Sequence, residues 1–244
     1  VTYLQFHFVF IFPAIALFAL FLRKPWAGEG SRALWALPLT ILIAFVYTVP
    51  WDNYLVYRNV WYYGPDRVLF VIGYVPIEEY MFFVLQPIMT GFLLYVMLQR
   101  HTLKPMASET SRWVGVAIYG LLSAIGIGLL ASGWDRGLYM GLILAWAAPV
   151  LAGLWYYGGP HFWAQRKPAL LTTGISTSYL WVADTLAIRW GIWDITLETS
   201  LGWRPFGLPI EEATFFLVTN LLCVQGILLF LHGYRVPPPW LKNR

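Results

Sequence analysis

The sequence predicts an all-α membrane protein of about seven transmembrane helices, arranged as two parallel three-helix repeats joined by a connector helix. Three observations carry this: an apolar composition, seven apolar stretches of membrane-spanning length, and one acidic motif that occurs twice. Of 244 residues, 59% are hydrophobic and 11% are charged, where a soluble domain carries about a quarter charged residues. Aromatic residues are abundant, with 14 Trp, 15 Tyr and 16 Phe. Part of that load suits the two membrane interfaces, and the rest predicts an aromatic-lined interior.

About 20 apolar residues are needed to cross the hydrocarbon of a bilayer. Seven stretches meet that length, at about 3–22, 33–50, 76–98, 113–131, 137–157, 169–188 and 207–232. The first is followed by Arg23-Lys24 and reads as a retained helix rather than a cleaved signal. Lys and Arg divide 5 against 11 between the two sides. The richer side holds the loops after spans one, three and five and the C-terminal tail. The positive-inside rule makes that side cytoplasmic, with the N-terminus outside. A net charge of +4 reports topology here and calls for no nucleic-acid partner.

The repeat is visible between residues 47–83 and 179–216. Asp52 matches Asp184 and Trp61 matches Trp193 at an offset of 132. Pro76-Ile77-Glu78-Glu79 matches Pro209-Ile210-Glu211-Glu212 at 133, followed by Phe82-Phe83 and Phe215-Phe216. One inserted residue reconciles the offsets. The repeats are then spans one to three (residues 1–100) and five to seven (137–244), with 101–136 as connector. Because the connector adds one crossing, the halves run the same way, related by a pseudo-twofold axis along the membrane normal. Both acidic motifs then fall at one depth, toward the outer side.

Six of the twelve acids occupy repeated positions: Asp52, Glu78, Glu79, Asp184, Glu211 and Glu212. Ionisable residues at membrane depth are costly and by default mark a functional interior. A plain helix start also explains Pro-Ile-Glu-Glu, because Pro favours the first helical position and Glu suits the N-terminal dipole. Duplication of the whole motif argues for more than a cap. Neighbouring residues on a helix point about 100° apart, so the two glutamates of a pair face differently. Glu79 shares a stripe with Phe83, Gln86 and Thr90, and Glu212 with Phe216, Thr219 and Cys223, with Asn220 close by. Glu78 and Glu211 head mostly apolar stripes. Glu79 and Glu212 are therefore expected to face the interior, with Glu78 and Glu211 flanking. Two adjacent carboxyl groups in a poorly hydrated place do not easily both ionise, although the helix N-terminus favours the charged form. A neutral carboxylic acid among ring faces suits protonation of a carbon–carbon double bond, because aromatic faces stabilise the cation that results. Arg67 and Arg204 each precede a glutamate motif, as partners for an acid or as interfacial residues.

With these residues in view, the chain resembles the small flavin-independent membrane lycopene cyclases. In bacteria these occur as two subunits or one fused chain, and in fungi as a domain fused to phytoene synthase. The resemblance rests on Thr48-Val49-Pro50-Trp51-Asp52-Asn53-Tyr54, on Gly191-Ile192-Trp193, and on both Pro-Ile-Glu-Glu segments with their Phe-Phe pairs. It covers nearly the whole chain, as a fused two-half form. It implies closure of the ψ end groups of lycopene to β-rings, giving γ- and then β-carotene. An acid protonates C2, the C1 cation is attacked by the next double bond, and C6 loses a proton, with no net redox change. The catalytic candidates are the six repeated acids. The candidate substrate-binding residues are Trp51, Asn53, Tyr54, Trp61, Phe82, Phe83, Trp193, Phe215, Phe216 and Asn220. Membrane-dissolved lycopene, the lipid bilayer and other carotenoid-pathway enzymes are the implied partners. Cyclisation of a C50 carotenoid, or to ε- or γ-rings, stays open at this level.

No cofactor or metal is expected. No Gly-x-Gly-x-x-Gly fingerprint follows a strand, the four His show no ligand spacing, and the single Cys223 excludes a disulfide or multi-Cys site within the chain. A covalent retinal protein needs a Lys inside a span, and Lys24, Lys104, Lys167 and Lys242 all read as loop or tail residues. A proton-coupled transporter also suits parallel repeats with membrane acids, but short spans and many aromatics fit an enclosed apolar substrate better.

Overall fold

The computed structural model describes residues 1–22, 32–101 and 107–232. Lys24, Lys104, Lys242 and the basic C-terminal tail lie outside them, as does Arg23. Among the described residues the chain forms seven long helices. These are α1 (Tyr3–Phe21), α2 (Arg32–Tyr57), α3 (Ile77–Gln99), α4 (Glu109–Ala131), α5 (Leu138–Ala164), α6 (Arg166–Arg189) and α7 (Ile210–His232). Four short strands lie between them: β1 (Trp61–Tyr63), β2 (Val71–Ile72), β3 (Val75–Pro76) and β4 (Trp193–Ile195). The chain is an all-α integral membrane protein.

Six of the seven helices are long and apolar enough to cross a membrane. The exception, α6, has 24 residues, about 36 Å at 1.5 Å each. Its low hydropathy comes from Thr172, Thr173, Ser176, Thr177 and Asp184, all buried. Polar side chains of membrane helices turn inward, where other helices satisfy them. Helix α2 continues to Tyr57 through both Pro38 and Pro50, so Trp51–Tyr54 are helical rather than a loop after residue 50. Each prolyl removes one backbone donor, which a packed membrane helix tolerates. Lys167 is the second residue of α6, exposed at that helix start, rather than a loop residue.

The repeat extends into the backbone hydrogen bonds. Tyr3 N donates to Arg67 O at 2.8 Å, and Tyr139 N to Thr199 O at 3.0 Å. Strands β1 and β4 pair antiparallel with Tyr62 opposite Asp194 at the centre, and these two residues are themselves 132 apart. The ladder continues symmetrically, with Gly64 N on Ile192 O and Thr196 N on Val60 O, both at 2.9 Å. A local twofold axis therefore passes between Tyr62 and Asp194. The single-residue shift in offset falls between Leu69/Leu201 and Glu78/Glu211. There, the β2–β3 hairpin stands in one half and a short helical turn, Pro205–Gly207, in the other.

Helices α3 and α7 lie at the centre and run in the same direction. Gln86 and Thr90 hydrogen-bond Asn220 at 2.8 and 2.7 Å, and further along a Cβ on Gly91 would meet Ile227 Cδ1 at 3.2 Å. Helix α4 packs at the edge against α5, mostly exposed, through close approaches at glycines. A Cβ on Gly126 would lie 2.6 Å from the Ala145 nitrogen. Small residues let membrane helices approach this closely.

Candidate active site

Each acidic motif starts a central helix, so its four residues inherit a fixed order of roles. Pro76 is the extended cap residue of α3, and the glutamates follow within the first turn. Glu78 is fully buried and accepts a hydrogen bond from Leu69 N through Oε1 at 2.9 Å. Its counterpart Glu211 accepts from Leu201 N at 2.6 Å. The first glutamate of each pair thus ties down the loop before its own helix.

The second glutamates turn the other way. Glu79 and Glu212 line one partly open cavity, about 480 Å³ of empty space when its open side is counted, with Asp184, Trp61, Trp193, Phe82, Phe215 and Phe216 also on its wall. Each is held by a phenol from the first helix of its own half. Tyr3 donates to Glu79 Oε2 at 2.6 Å, and Tyr139 to Glu212 Oε1 at 2.5 Å. These tyrosines are 136 apart and lie in the first turns of α1 and α5. Oxygen donors this close to a carboxyl group are among the stronger hydrogen bonds in proteins.

The two halves differ in one respect. Tyr63 also donates to Glu79 Oε2, at 3.3 Å, whereas the residue at its repeated position is Ile195, an apolar part of the same wall. Tyr63 lies in β1, outside the spans. Burial pushes its phenol well above the usual range and the nearby Glu79 carboxyl adds to this, so it remains a donor. Trp193 Nε1 donates to Asp184 Oδ1 at 2.8 Å, but Trp61 Nε1 donates to Tyr63 at 3.1 Å instead of to Asp52. Asp52 is buried beside the cavity, within electrostatic reach of Glu79 and Glu212, and its Oδ2 has no partner among the described residues.

Aromatic rings close the site. Trp51 stacks on Trp146 with centroids 4.5 Å apart and on Phe215 at 5.7 Å, and Phe82 meets Phe216 edge-on at 6.2 Å. Phe83 lines a second, adjacent cavity that shares Phe82 and Phe215 with the first. Buried His7 lies in a π-helical turn of α1, stacked on the Tyr3 ring at 5.0 Å.

Four candidate substrate contacts line neither cavity: Trp51, which stacks on Trp146 and Phe215, and Tyr54, Asn53 and Asn220. Tyr54 is exposed on the outer face of α2, where it accepts from Arg58 at 2.6 Å. Asn53 secures the β2–β3 hairpin, accepting from Tyr74 N at 2.9 Å and donating to Tyr80 at 3.0 Å. Asn220 is fully buried and saturated by Gln86, Thr90, Thr177 and the Phe216 carbonyl, as a polar bridge among α3, α6 and α7. Among the described residues neither Arg67 nor Arg204 forms a salt bridge with a motif glutamate, although Arg204 lies within electrostatic reach of Glu211. Arg204 pairs with Asp194 at 2.7 Å, and Arg67 donates to the Val1 carbonyl at 3.2 Å.

The residues missed in the sequence are Tyr3, Tyr63, Tyr139 and Ile195. A comparison of α1 with α5 at an offset of 136 would have found the two helix-start tyrosines. Among the described residues no cluster of metal-ligating side chains is found.

Comparison with known proteins gives this arrangement a family. The family model described as lycopene cyclase matches residues 2–97 and 136–230. A lycopene beta-cyclase of Halobacterium salinarum is 35% identical over 94% of this chain and 95% of its own length. Bifunctional lycopene cyclase/phytoene synthases are also similar. That of Gibberella fujikuroi is 38% identical over 93% of this chain and 39% of its own length, and that of Leptosphaeria maculans 40% over 80% and 36%. The chain thus corresponds to well under half of each fungal protein. No solved structure matches. A family match over both halves, and a relative aligned along nearly its full length, agree with the duplicated acid centre: the chain belongs to the lycopene cyclase family.

Proposed function

We propose that this chain is a lycopene β-cyclase, which closes the ψ end groups of membrane-dissolved lycopene to β-rings by acid catalysis, giving γ- and then β-carotene. The observation that carries the reading is that Glu79 and Glu212, one from each copy of the motif, line a single aromatic cavity and are each held by a phenol. One carboxyl group of this set donates a proton to C2 of the terminal double bond. The cation at C1 is attacked by the C5–C6 double bond, which forms the C1–C6 bond and moves the charge to C5. A carboxylate of the same set takes the C6 proton, restoring a neutral product and the original proton count. The rings of Trp61, Trp193, Phe82, Phe215 and Phe216 shield the cation from water and stabilise it through their faces. Asp52 and Asp184 complete the acidic set, while Glu78 and Glu211 hold the preceding loops. Both halves, residues 1–100 and 137–244, contribute to one shared site, and residues 101–136 connect them. The charge bias of the loops supports an outside N-terminus and a cytoplasmic C-terminus.

The test is turnover by the purified chain in lipid vesicles loaded with lycopene and given no added cofactor. Appearance of γ- and β-carotene is the expected result. Unchanged lycopene, or proton flux across the vesicle membrane without a cyclic product, would overturn the proposal.

A further inference from the structure

Beside the acid cavity lies a larger one, with about 850 Å³ of empty space, part of it open to the surroundings. Its wall is a stripe from each of four helices. On α7 it runs from Phe215 through Thr219, Cys223 and Gly226 to Phe230, about 22 Å along the helix axis at 1.5 Å per residue. It begins one turn from Glu212 and shares Phe82 and Phe215 with the acid cavity.

Most of the polar groups on this wall are already engaged, although Trp146 Nε1 is buried with no partner among the described residues. The hydroxyls of Thr40, Tyr47 and Thr219 donate to the carbonyls of Ala36, Trp146 and Phe215 at 2.8, 3.0 and 2.8 Å. The Gln86 amide donates to Asn220, and Gln86 in turn accepts from the Cys223 thiol. What this slot offers an occupant is therefore mainly apolar surface. Gly226 keeps it open: the repeat puts Leu93 at the corresponding position of α3, and a Cβ on Gly226 would meet Thr40 Cγ2 at 3.5 Å, an ordinary contact.

We propose that this slot holds the polyene arm of the substrate while the end group sits among the carboxyl groups, and that Gly226 sets how long an arm is accepted. This rests on the cyclase reading and adds the subsite that reads the chain behind the reacting end. The occupant follows from continuity with the acid cavity, from a wall that runs about 22 Å along α7, and from a lining that is mostly apolar, with most of its hydrogen bonds made within the protein. One slot of this length takes one arm, so the two ends of a symmetric substrate react in separate binding events.

The test compares wild type with Gly226→Leu, which places the residue of the other repeat in the slot. Two substrates are used: lycopene, and an acyclic apocarotenal with one ψ end and a shortened polyene. The expected result is a rise of about tenfold or more in the ratio of kcat/KM for the short over the long substrate, the scale on which a filled apolar pocket discriminates. Gly128→Leu, on the open face of α4 where a Cβ meets nothing within 4 Å, controls for insertion and folding. Quenching of tryptophan fluorescence by each polyene, read on the same proteins, reports binding without turnover. An unchanged ratio in both readouts would mean that the slot holds a lipid acyl chain, and equal loss of both substrates would mean a merely structural glycine. Either result overturns the proposal. A wild-type chain that binds with the expected length preference but forms no ring would remove the cyclase reading and keep the slot.

Discussion

The phenol of Tyr139 donates to Oε1 of Glu212 at 2.5 Å, both side chains buried and joined across 73 residues of sequence. Tyr3 stands in the same relation to Glu79 in the other half. The first helix of each repeat therefore reaches the third through a tyrosine of its first turn. That tyrosine is fixed in turn by a backbone bond to the loop between the second and third helices. Loop, helix start and carboxyl group form one rigid unit, made twice and packed about the β1–β4 pair.

Tyr139→Phe removes the phenol that holds Glu212, with no second donor from Ile195. A hydrogen bond to a charged group contributes about 1.5–3 kcal/mol, or about ten- to a hundredfold in rate. The loss is expected in kcat with little change in KM, because the phenol positions a reacting group. Tyr3→Phe is expected to cost less, because Tyr63 still reaches Glu79. Steady-state turnover of both variants in vesicles decides this, and equal losses would contradict the asymmetry.

Glu79→Gln and Glu212→Gln test whether the cavity is one active site. Removal of a general acid or base costs about 10²–10⁴-fold. In a shared site either change alone lowers formation of both γ- and β-carotene by that factor. Two independent sites would instead leave each single variant with roughly half of the wild-type rate. Chromatographic separation of the products over time distinguishes the two.

The helices, the duplication and the acid motif were legible because each is written in a pattern of long range. Spans show as hydropathy, and the motif as four residues repeated in order. The α2 extension was not legible, because Pro50 in sequence resembles a helix end and only packing shows that it is tolerated. Strands β1 and β4 have three residues each, too few for alternation to show. The inward turn of Glu79 and Glu212 could be read from the stripes their helices carry. Tyr3 and Tyr139 were harder to find, because a Tyr among fifteen stands out only once the repeat offset is allowed to change from 132 to 136 between elements. Asn220 misled for the opposite reason: a polar residue on an inward stripe serves a buried bridge between helices as readily as a ligand.

Glu211→Gln and Glu211→Ala separate a loop-holding role from a catalytic one. Glutamine keeps an oxygen for the Leu201 N–H, whereas alanine leaves that buried donor without a partner, at about 1–3 kcal/mol. The Oε2 atoms of both Glu78 and Glu211 have no partner among the described residues, so the amide replaces no bond on that side. Glu211→Gln is expected to keep most of its turnover and heat stability, and Glu211→Ala to inactivate at a lower temperature. Residual activity after stepwise heating in detergent measures this, and a Gln variant as impaired as Glu212→Gln would return Glu211 to the acid chemistry.

Gly64→Ala probes the seam between the halves. Gly64 N donates to Ile192 O at 2.9 Å, and a Cβ at this position would overlap the Gly191 carbonyl oxygen, a backbone atom with no rotamer to yield. Relief requires β1 and β4 to part, which moves Trp61, Tyr63 and Trp193 together, since all three sit on those strands and on the cavity wall. Overpacking of this kind costs about 1–3 kcal/mol, and here it also spreads the rings around the carboxyl groups. The expected outcome is a folded but less heat-stable protein with reduced turnover and altered tryptophan emission. Gly174→Ala, where a Cβ meets nothing within 4 Å, should change none of these. Wild-type turnover and emission in Gly64→Ala would show that the strand pair does not position the site.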